Sequence, residues 1–274
     1  MSDLKQLKYL VKLVDDENEE IRRRIFVELE SYGMQLEKFI IDEKIIPDQN
    51  QLNFLTLVFI KNRKKYLRQN WNSIFMIPDE YKQLEYMLDL IVKFQYGLAY
   101  TVSVSELLDN LADEFRIKFP EGNELQLSEF LFNRKNLKGT DTDYYNSLNS
   151  NLIYVLEKKQ GIPISLALIY ILTGARCGLK IEGCNFPGHF LAKTYRNNEV
   201  VLIDCHNGGR LIYEKDIPSV AENSVEAVIK VVRSKTYSNQ IIRRVLNNLI
   251  NAYTQEENKN SADFFKLMLA STPV

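Results

Sequence analysis

Cysteine is scarce in this chain, three in 274 residues. An odd count without scaffold spacing excludes a disulfide-stapled fold. Histidine is scarcer, present only as His189 and His206. Neither charge sign is in excess: the net charge of -1 removes the electrostatic case for nucleic-acid binding. No apolar stretch approaches membrane-spanning length, and the longest, residues 162–171, is interrupted by Pro163 and Ser165. The opening Met1-Ser2-Asp3-Leu4-Lys5 lacks the apolar core of a signal peptide. These absences lead to the expectation of a soluble cytoplasmic protein with neither nucleic acid nor membrane as partner.

What is present is ample core material, 45% hydrophobic with 11% aromatic residues. The length suits one globular domain with a smaller companion. The first hundred residues read as helices. Leu7, Leu10, Val11 and Val14 make one stripe, and Ile21, Ile25, Leu29 and Tyr32 make a second, closed by Gly33. The acidic turn between them gives a pair resembling a single HEAT-type repeat. Further helices are expected over about residues 52–67 and 81–96, with a loop over 71–78 between them. Ser103-Val104-Ser105-Glu106 is a capping-box pattern ahead of another helix. Short β segments are expected over residues 180–185, 189–195 and 199–204, the last two joined by a turn at Arg196-Asn197-Asn198. Helices return after residue 238. The order predicts an α+β fold in three regions: helical residues 1–100, a mixed core over 101–235, and a helical tail over 236–274.

Chemistry concentrates in residues 161–210, which hold both histidines, all three cysteines and most of the tight-turn signals. Ser165 lies in the first turn of a helix opened by Pro163 and stopped by Gly178. His189 opens a strand, and Asp204 closes its hairpin partner. A hydroxyl, an imidazole and a carboxylate so placed are the parts of a nucleophile–base–orienter site, with helix-start N–H groups available to an oxyanion. The serine and the histidine each also have a plainer reading: a first-turn serine bonded to backbone, a satisfied turn histidine.

Cys184, His189, Cys205 and His206 invite a zinc reading, but their spacing matches no closed site, and neighbouring Cys205 and His206 should point to opposite faces. No metal or other cofactor is expected. Asn207-Gly208-Gly209 reads as a tight turn rather than a phosphate loop. The basic run Lys61, Arg63, Lys64, Lys65 and Arg68 reads as a solvated helix end.

Gly-Ile-Pro-Ile-Ser-Leu-Ala, Pro-Gly-His-Phe-Leu, Leu-Ile-Asp and Asn-Gly-Gly, in that order, resemble the transglutaminase-like superfamily. The likeness is to its divergent bacterial branch, with a helical N-terminal segment and a tetratricopeptide-like helical tail. Asn149-Ser150-Asn151-Leu152 also looks like that branch. The resemblance implies a papain-like core in which a helix-start cysteine attacks an acyl group, a histidine is the base and an aspartate orients it. Histidine and aspartate map to His189 and Asp204. The cysteine does not: counting back from Ala167 reaches Pro163, and the nearest hydroxyl is Ser165. Two functions follow. In one, a degenerate triad leaves a fold used to bind a peptide or protein, in a cleft lined by His189, Asp204 and Tyr145. In the other, Ser165, His189 and Asp204 form an active amidase, protease or transglutaminase acting on peptide or isopeptide amides.

Overall fold

The computed structural model describes residues 4–217 and 224–274. Residues 1–3, part of the stretch read above for a signal-peptide core, lie outside them. The chain divides into two compact units, residues 1–73 with 90–101, and residues 74–89 with 102–274.

The first unit is helical. It is built from α1 (Leu4–Lys12), α2 (Glu19–Ser31), α3 (Met34–Asp42) and most of α4 (Gln49–Ile74). Asn18 caps α2, its side chain accepting the Glu20 N–H, and Glu19 and Glu20 suit the positive end of the helix. Leu7, Val11 and Val14 meet Ile25, Leu29 and Tyr32 in one apolar cluster. The covered stripe of α2 begins at Ile25, and Ile21 is left 40% exposed. Gly33 does not end the helical run. With φ of 54° it turns a corner that other residues reach only with strain, and α3 starts at the next residue. α4 extends beyond the expected end, through Trp71, so the basic run lies mid-helix. Arg63 is not solvated there: its Nε meets Glu37 Oε1 at 2.7 Å, and both side chains are largely buried.

The second unit carries the sheet. α5 (Glu80–Tyr96) lends it its first half. Ser103 caps α6 (Val104–Lys118) by accepting the Glu106 N–H at 3.0 Å. Asn123 and Gln126 form a reciprocal capping box that opens α7 (Glu124–Ser128), which runs into a π-helical turn, Glu129–Arg134. A two-residue parallel bridge joins β1 (Lys138–Gly139) to β2 (Gln160–Gly161). Between them lie a 3₁₀ turn, Ser147–Ser150, and α8 (Leu152–Lys158).

α9 (Pro163–Arg176) is the centre of this unit, buried continuously from Pro163 to Gly174. A helix apolar on every side must be covered on every side, and α6, α7, α8, β3 and β4 all pack on it. It ends in a Schellman motif: Gly178 has φ of 72°, and the Leu179 N–H returns to the Gly174 carbonyl at 2.9 Å. Arg176 fixes that end. It makes a two-pronged pair with Glu85 at 2.7 and 2.8 Å and reaches Asp109 at 2.5 Å.

An antiparallel meander follows: β3 (Glu182–Cys184), β4 (Leu191–Arg196), β5 (Glu199–Asp204) and β6 (Arg210–Tyr213), neighbours in that order. Asn197 and Asn198, at φ of 50° and 65°, make the β4–β5 turn with the left-handed conformations that a two-residue hairpin requires. Both sheet faces are covered. Leu191, Leu202 and Ile212 pack with Val228 and Val232 of α10 (Val225–Arg233). Lys193, fully buried in β4, donates to the Val232 and Ser234 carbonyls at 3.0 and 2.6 Å, so a cation closes the C-terminal end of α10. α11 (Ser238–Gln255) and α12 (Lys259–Ala270) form the closing helical pair. The architecture is α+β. Among the described residues no helix is long and apolar enough to cross a membrane.

Candidate functional site

His189 does not lie in a strand. Phe186-Pro187-Gly188-His189 is a β-turn, closed by the His189 N–H on the Phe186 carbonyl at 3.1 Å, and β4 begins two residues later. Pro187 supplies the fixed φ at the second turn position, and Gly188 supplies φ of 74° at the third. The turn presents the imidazole at the end of the sheet, with its side chain 28% exposed.

Asp204 ends β5 and is nearly buried. Its Oδ1 lies 2.9 Å from His189 Nε2 and also accepts the Asn207 N–H at 3.2 Å. Its Oδ2 accepts from Asn207 Nδ2 at 2.8 Å, with Arg210 Nη2 at 3.6 Å. Burial raises the Asp204 pKa, but the hydrogen bonds from His189 and Asn207 outweigh it and leave the carboxyl at about 2. An ionised carboxylate on Nε2 keeps the proton there in the neutral ring. That leaves the Nδ1 lone pair as the basic position. Imidazole and carboxylate thus lie on one side of the sheet and in contact.

The loop after Asp204 is built to close on this carboxylate. Gly208 and Gly209 have φ of 67° and 76°, and the Gly209 N–H returns to the Asp204 carbonyl at 2.9 Å. A Cβ on Gly209 would collide with Ser128 Oγ. Cys205 is wholly buried, while His206 emerges over Gly139 on β1. The His206 ring stands edge-on to that of His189, centroids 5.9 Å apart, with its Nε2 3.4 Å from the Thr140 carbonyl. Among the described residues no group of three or more His, Cys, Asp or Glu is placed to hold a metal.

Ser165 is 2% exposed, and its hydroxyl donates to the Asn149 carbonyl at 2.5 Å. The Asn149 side-chain amide in turn donates to the Asp143 and Tyr144 carbonyls at 2.6 and 3.2 Å. Ser165 therefore ties the start of α9 to the loop that carries Tyr144 and Tyr145. In the first turn of α9, Pro163 has no N–H, and the Ser165 and Leu166 N–H groups both turn to the Ile162 carbonyl. Tyr145 lines a cleft of about 430 Å³ with Asp141, Tyr144 and Glu256, and Asp141 Oδ1 is 3.9 Å from His206 Nε2.

Asn149, His206 and Asn207 stand in the sequence only as part of a family motif, a zinc reading and a tight turn, with no part assigned to them beside His189 and Asp204. A usable signal exists for His206. The two-residue turn at Asn197-Asn198 pairs Ala192 with Ile203. Extending that register by three residues sets His189 opposite His206 and makes Asp204 a diagonal neighbour on the same face. Nothing comparable points to the Asn149 carbonyl, because main-chain acceptors leave no mark on residue identity.

Against known proteins, residues 102–247, more than half of the chain, match the model of the transglutaminase-like superfamily. A UPF0162 protein of Xylella fastidiosa (strain Temecula1) is 27% identical over 198 residues, 68% of this chain and 70% of that protein. A UPF0162 protein of strain 9a5c is 32% identical over 145 residues, 51% of this chain and 52% of its own length. F-box only protein 21 of Mus musculus is 29% identical over 135 residues, 46% of this chain but 21% of that protein. No solved structure matches. The chain belongs to the transglutaminase-like superfamily.

Proposed function

We propose that this chain is a peptide-binding transglutaminase-like domain that keeps the histidine–aspartate pair and lacks a working nucleophile. One observation carries the reading: the Ser165 hydroxyl is buried and spends its proton on the Asn149 carbonyl. A serine nucleophile must instead offer that proton to a base within hydrogen-bond reach. Pro163, at the position where the superfamily pattern has cysteine, offers no nucleophile at all. The first-turn N–H groups that would serve an oxyanion are in part committed to Ile162. What remains is the His189 Nδ1, a hydrogen-bonding group for a peptide amide at the end of the sheet. A peptide or protein is the partner, and neither metal nor cofactor takes part.

The active alternative, with Ser165, His189 and Asp204 as its triad, draws on one feature. The Asp204 contact through Nε2 leaves Nδ1 as the ring nitrogen free to take a proton.

Acetyl-Gly-Gln-Gly-amide separates the two. Binding without chemistry shifts the His189 imidazole resonances saturably and releases no ammonia. Conversion of the glutamine to glutamate with release of ammonia, abolished in His189→Ala, establishes the enzyme instead.

A further inference from the structure

Among the half-buried arginines, Arg63 is held by Glu37 and Arg176 by Glu85 and Asp109, while Arg22 donates to the Asp16 and Glu17 carbonyls and Arg243 to the Leu269 and Thr272 carbonyls. Arg244, on α11, has neither kind of partner. It is half-buried, yet among the described residues no carboxylate lies within ion-pair reach of it. Its contacts are a long hydrogen bond to Asn185 Oδ1 at 3.4 Å and a guanidinium placed 5.5 Å from the centre of the Phe190 ring. A guanidinium has five donors in a planar fork suited to a carboxylate, and here they are almost unused. Burial also depresses the Arg244 pKa, with Tyr144 and then Cys184 acting in the opposite direction.

The surroundings form a row. Arg244, Asn248 and Asn251 follow at i, i+4 and i+7, so they share one face of α11. Asn248 and Asn251 line a slot with Tyr144, Tyr145 and Ile162, the residue before α9. The slot shares Tyr144, Tyr145 and Asn146 with the wider cleft beside Asp141. Phe190, under the guanidinium, directly follows His189. One end of the row is thus cationic, and its middle is amide and aromatic. The far end, at Asp141, Asp143 and Glu256, is acidic.

We infer that this face of α11 is the binding track for an extended peptide whose glutamate side chain pairs with Arg244. Asn248 and Asn251 meet the peptide backbone, and Tyr144 and Tyr145 flank it. The inference rests on the peptide-binding reading and adds what that reading lacks, a charge preference. The acidic far end restricts the carboxylate to the Arg244 end and so fixes the direction of the segment.

The test titrates the full chain, labelled with ¹⁵N, with acetyl-Gly-Glu-Gly-amide and with acetyl-Gly-Gln-Gly-amide. The glutamate peptide should shift the Arg244 Nε–H and the Asn248 and Asn251 amide signals, with a Kd about tenfold below that of the glutamine peptide. Arg244→Gln should bring the two within about twofold of each other, while Arg244→Lys, which keeps charge and stem, should retain part of the preference. Equal affinity for the two peptides overturns the glutamate anchor and leaves the peptide-binding reading standing. So does a preference that survives in a folded Arg244→Gln. Glutamate-peptide binding that leaves the His189 resonances unmoved supports the Arg244 track and removes the reading at His189. Failure of either peptide to shift any signal overturns both.

Discussion

The Ser165 hydroxyl donates to the main-chain carbonyl of Asn149, sixteen residues earlier, and both residues are buried. The bond joins the start of the central helix to the tyrosine-bearing loop. In Ser165→Ala a buried acceptor loses its partner, which costs about 1–3 kcal/mol. Urea denaturation should show that loss with an unchanged m-value, because the compactness of the two states is untouched. A Ser165→Ala variant as stable as the parent removes the structural role assigned to this hydroxyl.

Acid should weaken the fold through Asp204. Its folded-state carboxyl titrates at about 2, below the ordinary aspartate value. The stabilisation it gives is complete above the unfolded pKa near 4 and disappears as pH falls through about 2, amounting to about 2 kcal/mol. Between about pH 5 and pH 2, Asp204→Asn should flatten the stability curve relative to the parent. Parallel curves for the two proteins over that window contradict the Asp204 contacts with His189 and Asn207.

Arg176 should be a sensitive charged position in the second unit. Its removal leaves Glu85, with a side chain only 17% exposed, without its two-pronged partner. Arg176→Ala should destabilise by about 3 kcal/mol. Arg176→Lys should recover less than half, since an ammonium cannot make the same fork. Calorimetric Tm values of the two variants check this, and full recovery by lysine would contradict the geometry.

Gly208 and Gly209 separate two reasons for glycine. Both have positive φ, but a Cβ on Gly208 meets open space, whereas one on Gly209 collides with Ser128 and Phe132. Gly208→Ala should lose about 1 kcal/mol from backbone strain alone. Gly209→Ala should lose distinctly more and should disturb the Asp204 contacts that its loop closes. Equal losses in thermal melts of the two would mean that Ser128 and Phe132 give way.

Much of this arrangement is legible in the sequence where a local residue sets the backbone. Pro163 and Gly178 bracket α9, and Asn197-Asn198 dictates the hairpin, because each acts on the conformation of its own few residues. α3 is hidden because Gly33 looks like a stop yet serves as a corner. α10 is hidden because Val225, Val228, Val231 and Val232 are β-branched, while the support it receives comes from elsewhere in the chain: the sheet face covered by Val228 and Val232, and Lys193 at its C-terminal end. β6 is short and takes its place from β5. The His189–Asp204 pairing follows from hairpin register, a rule of counting. The fate of the Ser165 hydroxyl does not, since it depends on where a distant carbonyl arrives in the folded chain.

Covalent labelling of the full chain by a fluorophosphonate probe, followed by peptide mapping, tests the central claim most directly. The account predicts no adduct on Ser165 and no difference between the parent and His189→Ala. A stoichiometric adduct on Ser165 that vanishes in His189→Ala would contradict it and make Ser165, His189 and Asp204 an operating triad.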